Sequence, residues 1–312
     1  MRRRPIGFAL AMLLAAIAAP IAARSEESHL KIGYSLISEF LPAFVAADHE
    51  SFACHGIVGE LVPIANAANV PVAVISGSVD IGGMNIATFL HAVDGGLDLV
   101  AVAGSSMIPN HDAPIALVTA PDWTFADLHG LEGKSVAMPG IGSAVDVLFR
   151  SWVHTQGAQL AKIRIVEVAL PQIPDSLRTR SVDSAVLVEP FLTRAVQAGQ
   201  ARMAVRFTDS LPHAVIATLY AADRKWAERN KSHVAAFRAA IAEGVADAQA
   251  HNSQARESLG HYIKLPPEVL ASLPQPTMTA TITADQVAWW VGQMRAQDFL
   301  QTAINPTSVI LP

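Results

Sequence analysis

Gly140-Ile141-Gly142-Ser143 joins a short β-branched run to a helical stretch, and its residue types suit chemistry. Glycines there let a ligand approach the backbone at a helix start, and Ser143 adds a hydroxyl. Ser38-Glu39-Phe40 follows the first predicted strand in the same way. Unpaired N–H groups at such a helix start suit an anionic or acceptor group, although Ser38 is equally a helix-capping residue. Met84-Asn85 lies between another strand and its helix; Asn85 can donate and accept towards a polar ligand, or cap the helix. Glu189 stands at the carboxyl end of a strand, where a carboxylate can accept from an amine or amide, or complement the dipole of the next helix. Ser105, Ser106 and His213 are candidates near the places where the chain should cross between two halves. A lone histidine such as His213 is more often structural than a ligand contact.

Rival chemistries are poorly supplied. Gly140-x-Gly142 with Glu167 at the end of the next strand imitates a dinucleotide fingerprint, but Val145 replaces the third glycine and Pro139 precedes the turn. Asp48-His49-Glu50 with Cys54-His55 contains metal-ligating types, without the tight C-x₂-C spacing of closed zinc sites. No G-x-S-x-G elbow is present. Trp289-Trp290 falls in a late amphipathic helix and reads as packing. The expectation is therefore a binding site with no catalytic residue, no metal ligand and no cofactor. No arginine occurs in the candidate loops to clamp a carboxylate or phosphate through two bonds, and Phe40 is almost their only aromatic.

The elements that must position these loops alternate. Predicted strands are Leu30–Leu36, Ile57–Pro63, Val79–Gly82, Leu99–Ala103, Ile115–Thr119, Ser135–Met138, Ile163–Val168, Ser184–Val188, Met203–Phe207 and Val215–Tyr220. Helical stretches Pro42–Phe52, Ile86–Val93, Ser143–Thr155 and Pro190–Ala198 lie between them. Such alternation predicts an α/β fold with largely parallel sheets. After Ala222 the strands stop, and Trp226–Ala250, Ser253–Ile263 and Ala284–Met294 read as helices. Ser78-Val79-Asp80 recurs as Ser181-Val182-Asp183, and Lys31 as Lys134, at one common offset, which suggests two similar halves. Two open α/β halves facing each other form a cleft, since ligands of such sheets bind beyond the carboxyl ends of the strands. The expected lobes are residues 28–106 plus 214–312 and residues 107–213, with crossings near Gly104–Pro114 and Thr208–Ala214.

At the N-terminus, Arg2, Arg3 and Arg4 precede an apolar run from Phe8 to Ala19 and small residues through Ala23. That is the pattern of a cleaved secretory signal over residues 1–24, too short for a bilayer span of about 20 residues. Cleavage would leave 18 basic against 27 acidic residues, a balance with no footprint for nucleic acid or an anionic membrane. The lone Cys54 excludes an internal disulfide, so the fold must rest on burial.

With those elements in place, the chain resembles the periplasmic solute-binding proteins of ABC importers, of the sulfonate, taurine, nitrate and thiamine-pyrimidine type. The likeness rests on Lys31-Ile-Gly-Tyr-Ser, Pro42-Ala-Phe-Val-Ala-Ala, Ile75-Ser-Gly-Ser-Val-Asp-Ile-Gly, Leu131-Glu-Gly-Lys-Ser-Val-Ala and Ser181-Val-Asp-Ser-Ala-Val-Leu-Val-Glu-Pro-Phe, in order. Thr179-Arg180 departs from it, because the family usually has a glycine before V-D. The resemblance implies a type II periplasmic-binding-protein fold, two α/β lobes on a two-stranded hinge, with Glu189 facing the cleft. It also implies a monomer without enzymatic activity that delivers a small polar or anionic organic solute, sulfonate-, taurine- or pyrimidine-like, to an ABC permease and its ATPase. A binding protein that reports to a receptor, and an exported enzyme on the same scaffold, are the alternative readings. The related pyrimidine synthase carries a cysteine-rich loop and paired histidines, which this sequence lacks.

Overall fold

A computed structural model of the chain describes residues 28–125 and 127–312. The predicted signal segment lies outside them. Eleven strands are found among the described residues: β1 (Ser28–Tyr34), β2 (Ile57–Pro63), β3 (Ile81–Asn85), β4 (Leu99–Ile108), β5 (Ile115–Thr119), β6 (Ser135–Met138), β7 (Arg164–Glu167), β8 (Ser184–Val188), β9 (Arg202–Val205), β10 (Val215–Asp223) and β11 (Thr277–Met278). They form two sheets, ordered β11-β4-β10-β3-β1-β2 and β7-β6-β8-β5-β9. β2, β5, β6 and β8 have the bounds predicted for them, since each is a short apolar run closed by turn residues.

Both sheets are mixed, which corrects the expectation of largely parallel ones. β1 pairs in parallel with β2 and β3, and β6 with β7 and β8. β10 runs antiparallel to both β3 and β4, and β5 antiparallel to β8 and β9. The chain leaves the first sheet along β4 and returns along β10, and the two pair up to Val215 opposite Ile108. A strand that returns beside the one that left must run the opposite way. Gly104–Ile108, expected in the crossing, therefore belongs to β4. Likewise β10 continues past Tyr220 to Asp223, and β11 is a short late strand on the outer edge of β4.

The sequence repeat is a structural repeat. In each half one strand lies between two parallel neighbours, β2-β1-β3 and β7-β6-β8. Asp80 accepts from the Lys31 N–H at 2.8 Å in the middle of β1, and Asp183 accepts from the Ser135 N–H at 2.8 Å at the start of β6, so each aspartate pins a central strand. Val79 and Val182 are buried beneath them. The turn before each motif needs a left-handed residue. Gly77 supplies it at φ +73°, and Arg180, at the equivalent place in the second half, adopts φ +56°.

Helices cover the sheets. Leu41–Asp48 buries Phe44, Val45 and Ala46, and it stops before Ser51–Cys54 because Glu50 turns left-handed at φ +60°; one helix had been expected over Pro42–Phe52. The Lys231–Ala250 helix crosses it at Gly244, where an added Cβ would lie 2.2 Å from the Pro42 carbonyl oxygen. Only glycine permits that approach. Phe44 packs edge-on to Tyr34 and stacks on Tyr262, each at 4.9 Å between ring centroids. Burying a side chain of that size contributes about 1.5–3 kcal/mol. Trp290 is fully buried and donates from Nε1 to the Ile216 carbonyl at 2.8 Å; Trp289 packs edge-on against it. No described helix is long and apolar enough to cross a membrane.

Candidate functional site

The loops at the carboxyl ends of β1 and β8 each present a buried acid. Ser38–Phe40 forms a single 3₁₀ turn after β1, in which Glu39 is 6% exposed. Its backbone carbonyl accepts from the Ser105 hydroxyl on β4 at 2.7 Å, and Ser105 also reaches the Tyr220 hydroxyl at 3.3 Å. That bond fixes the turn against the centre of the first sheet. The only side-chain hydrogen bond to the Glu39 carboxyl among the described residues comes from the neighbouring Ser38 hydroxyl, at a long 3.5 Å. Burial, with a smaller contribution from the charge of Glu189, pushes Glu39 up to about 8. Desolvation disfavours the ionised form, and a like charge adds to the effect.

Glu189 belongs to the second sheet and is 3% exposed. Its two carboxyl oxygens accept from the Thr193 N–H at 3.0 Å and the Thr193 hydroxyl at 2.9 Å. It therefore serves the start of the Phe191–Gln197 helix while its charge also reaches Glu39. Burial raises its pKa, opposed by the Thr193 bonds and by Arg206. The guanidinium of Arg206 also donates to the Ala113 carbonyl. Neither Glu39 nor Glu189 forms a salt bridge within 4 Å among the described residues.

The Gly140–Ser143 turn has its own acids. The Ile141 N–H donates to Glu167 at 3.2 Å, and the Gly142 N–H donates to Asp146 at 2.8 Å. Asp146 is fully buried inside the first turn of the Ala144–Thr155 helix and pairs with Arg150 at 2.8 Å. Burial raises its pKa, against the Gly142 and Arg150 contacts. The Gly142 N–H, expected to lie open to a ligand, is thus engaged by a carboxylate, and so is that of Ile141. Glu167, read as a ribose-binding acid in the dinucleotide alternative, is spent on the same turn. Gly142 adopts φ +76°, its carbonyl accepts from His91 on the Ile86–Asp94 helix at 3.1 Å, and a Cβ would meet the His91 ring at 2.8 Å. The Ser143 hydroxyl is buried and has no hydrogen-bond partner.

The remaining predicted residues divide clearly. Ser38 makes no cap bond. Phe40 and Met84 are fully buried core residues, Phe40 packing near Tyr220 and against Gly83. Asn85 caps its helix, accepting from the Thr88 N–H at 2.9 Å and donating to the Thr88 hydroxyl at 2.8 Å. Ser106 bonds Thr218 at 2.8 Å inside the first sheet. His213 is exposed and packs edge-on to Trp289, away from both acids. Sequence reasoning missed Asp146, Arg206, His91 and Thr193. Asp146 was legible as an acid in a first helical turn and Thr193 as a polar residue one turn after Glu189; Arg206 and His91 act across sequence distances that no local pattern shows.

The histidine-rich segment is structural. His49 pairs with Asp247, His55 with Glu243 at 2.8 Å, and His261 with Asp48 at 2.6 Å. These contacts tie the first helices to the later ones. An open cavity of about 570 Å³ lies there, lined by Asp48, His49, Gln254, Glu257, Ser258 and His261, remote from the two buried glutamates. Cys54 is exposed. No group of three or more His, Cys, Asp or Glu among the described residues is arranged to hold a metal.

The sequence model of the NMT1-like family matches residues 23–260. An aliphatic sulfonates-binding protein of Escherichia coli (strain K12) is 24% identical over 312 residues, covering 98% of this chain and 94% of that one. Among solved structures, the periplasmic aliphatic sulphonate binding protein SsuA from Escherichia coli aligns at TM-score 0.75 and 20% identity, over 91% of this chain and 97% of that one. The alkanesulfonate-binding protein SsuA from Xanthomonas axonopodis pv. citri, bound to MOPS, aligns at TM-score 0.77 and 17% identity, over 91% and 98%. The periplasmic nitrate-binding protein NrtA from Synechocystis PCC 6803 aligns at TM-score 0.74 and 15% identity, over 91% and 85%. The periplasmic-binding-protein fold expected from the sequence is the fold observed.

Proposed function

We propose that this chain, which belongs to the NMT1-like family, is the exported solute-binding component of an ABC importer. It captures a small organic solute between two lobes and hands it to a membrane permease and its ATPase without changing it chemically. The observation that carries this reading is the pair of buried, unbridged acids Glu39 and Glu189. They come from the carboxyl edges of two separate sheets, close enough for the charge of Glu189 to raise the pKa of Glu39. The carboxyl edges of strands are where open α/β sheets bind ligands, and only a site shared by two sheets couples binding to closure. The names of the sulfonate-binding relatives support the transport role. The lobes are residues 28–106 plus 214–312 and residues 107–213, hinged where β4 and β10 run side by side. Contacts with the solute come from Ser38 and Glu39 on one side and from Ser143 and Glu189 on the other, and they coexist only when the jaw is shut.

The test is equilibrium dialysis of the mature protein against a defined mixture of small amines, amino acids, pyrimidines and sulfonates. Mass spectrometry then identifies what is retained, and small-angle scattering follows the shape. Retention of one solute per chain, chemically unchanged, with a smaller radius of gyration, is the expected result. Turnover of the solute, or saturable binding with no change in radius, would overturn the two-lobed binding mechanism.

A further inference from the structure

We infer, resting on the solute-binding reading, that the solute presents a protonated amine or amidine to Glu39 and Glu189, and that alkanesulfonates are not its class. Two lines of geometry meet here. The first is what the site withholds from an anion. The N–H groups of Ile141 and Gly142, at the turn best placed to cradle one, already donate to Glu167 and Asp146. A sulfonate approaching that turn would find these two N–H groups already engaged. No lysine, arginine or histidine pairs with either cleft glutamate within 4 Å among the described residues. The nearest cation by its influence on Glu189, Arg206, is tied to the Ala113 carbonyl.

The second line is what the site offers to a cation. Glu39 is 6% exposed and Glu189 is 3% exposed, yet the Glu39 carboxyl is met only by its own backbone N–H and by a long contact from its neighbour Ser38. Each Glu189 oxygen accepts one bond from Thr193, which leaves a second lone pair on each. Buried carboxylates are normally paired, because an unpaired charge out of water is costly. Glu39 avoids that cost in the empty site by keeping its proton and releases it when a cation arrives, so the two acids together are complementary to a group with several N–H donors and a positive charge. Charge-assisted hydrogen bonds to such a group would be the strongest contacts available to the closed jaw. The Ser143 hydroxyl, buried and unpartnered, is left for a polar atom elsewhere on the solute.

The experiment compares two sets of size-matched probes at pH 7.5: n-butylamine, benzylamine and benzamidine against butanesulfonate and benzenesulfonate. Thermal shift gives the first readout and calorimetry confirms it, on the mature protein and on its Glu39→Gln and Glu189→Gln variants. The expected result is stabilisation by members of the cationic set alone, weakened at least about tenfold in each variant. Both variants should unfold cooperatively without probe, Glu39→Gln at no lower temperature than the parent. A response to the sulfonates alone, or a cation response that survives both substitutions, overturns the inference and leaves the solute-binding reading standing. Silence from both sets, together with no retained solute in the dialysis, overturns both.

Discussion

Replacing Glu39 by glutamine keeps the shape of a protonated carboxyl and removes its proton equilibrium. In the folded protein, burial and the charge of Glu189 push Glu39 from an ordinary 4.5 up to about 8. Below pH 4.5 the group is protonated in both the folded and unfolded chain and contributes no pH dependence. Between pH 4.5 and about 8 the unfolded chain releases the proton while the folded chain keeps it, so stability falls as pH rises. Each pH unit in that window removes about 1.4 kcal/mol. The loss reaches about 3 kcal/mol by pH 7 and about 5 kcal/mol by pH 8, where it levels off. Glutamine has no such loss. Urea denaturation of parent and Glu39→Gln at pH 5, 6, 7 and 8, at fixed ionic strength and without solute, should show curves that nearly coincide at pH 5 and separate as pH rises, with the variant more stable. An offset that stays constant with pH, or that shrinks towards pH 8, would refute the claim that Glu39 is a desolvated acid held neutral by the fold.

Three further outcomes test the scaffold. Gly244→Ala forces a Cβ to within 2.2 Å of the Pro42 carbonyl oxygen. The crossing helices must then separate, and about 1–3 kcal/mol of overpacking exceeds the roughly 1 kcal/mol gained in helix propensity, so denaturant midpoints should fall. Asp183→Ala should cost about 2–3 kcal/mol and Asp80→Ala about 1 kcal/mol, because Asp183 accepts from both the N–H and the hydroxyl of Ser135 whereas Asp80 accepts from the Lys31 N–H alone. Equal losses in urea melts would contradict that difference between the repeats. Arg180→Gly should leave the protein as stable or up to about 1 kcal/mol more stable, since glycine takes the left-handed turn without the steric cost that arginine bears. A loss of stability would mean that the exposed Arg180–Asp122 ion pair outweighs the strain.

The sequence by itself determined the α/β class, the internal repeat and most of the element order. Ile115–Thr119, Ser135–Met138 and Ser184–Val188 were legible to the residue because each is a short, wholly buried run, and Ile57–Pro63 because its β-branched and apolar residues end at a proline. The paired Ser-Val-Asp motifs were legible because the same local bond, aspartate to a strand N–H, is made twice. The candidate loops were legible as places, since strands feeding helices must end somewhere open. Their chemistry was not. Whether the Gly142 N–H is free depends on a carboxylate inserted behind it, and whether Asn85 caps or binds depends on where Thr88 presents its own groups. The direction of β10 is a non-local choice, fixed when it returns beside β4 more than a hundred residues later. The nearness of Glu39 and Glu189 is of the same kind. They are 150 residues apart and on different sheets. Only the tertiary fold brings their charges within reach, and no local pattern of hydrophobicity or turn residues carries that information.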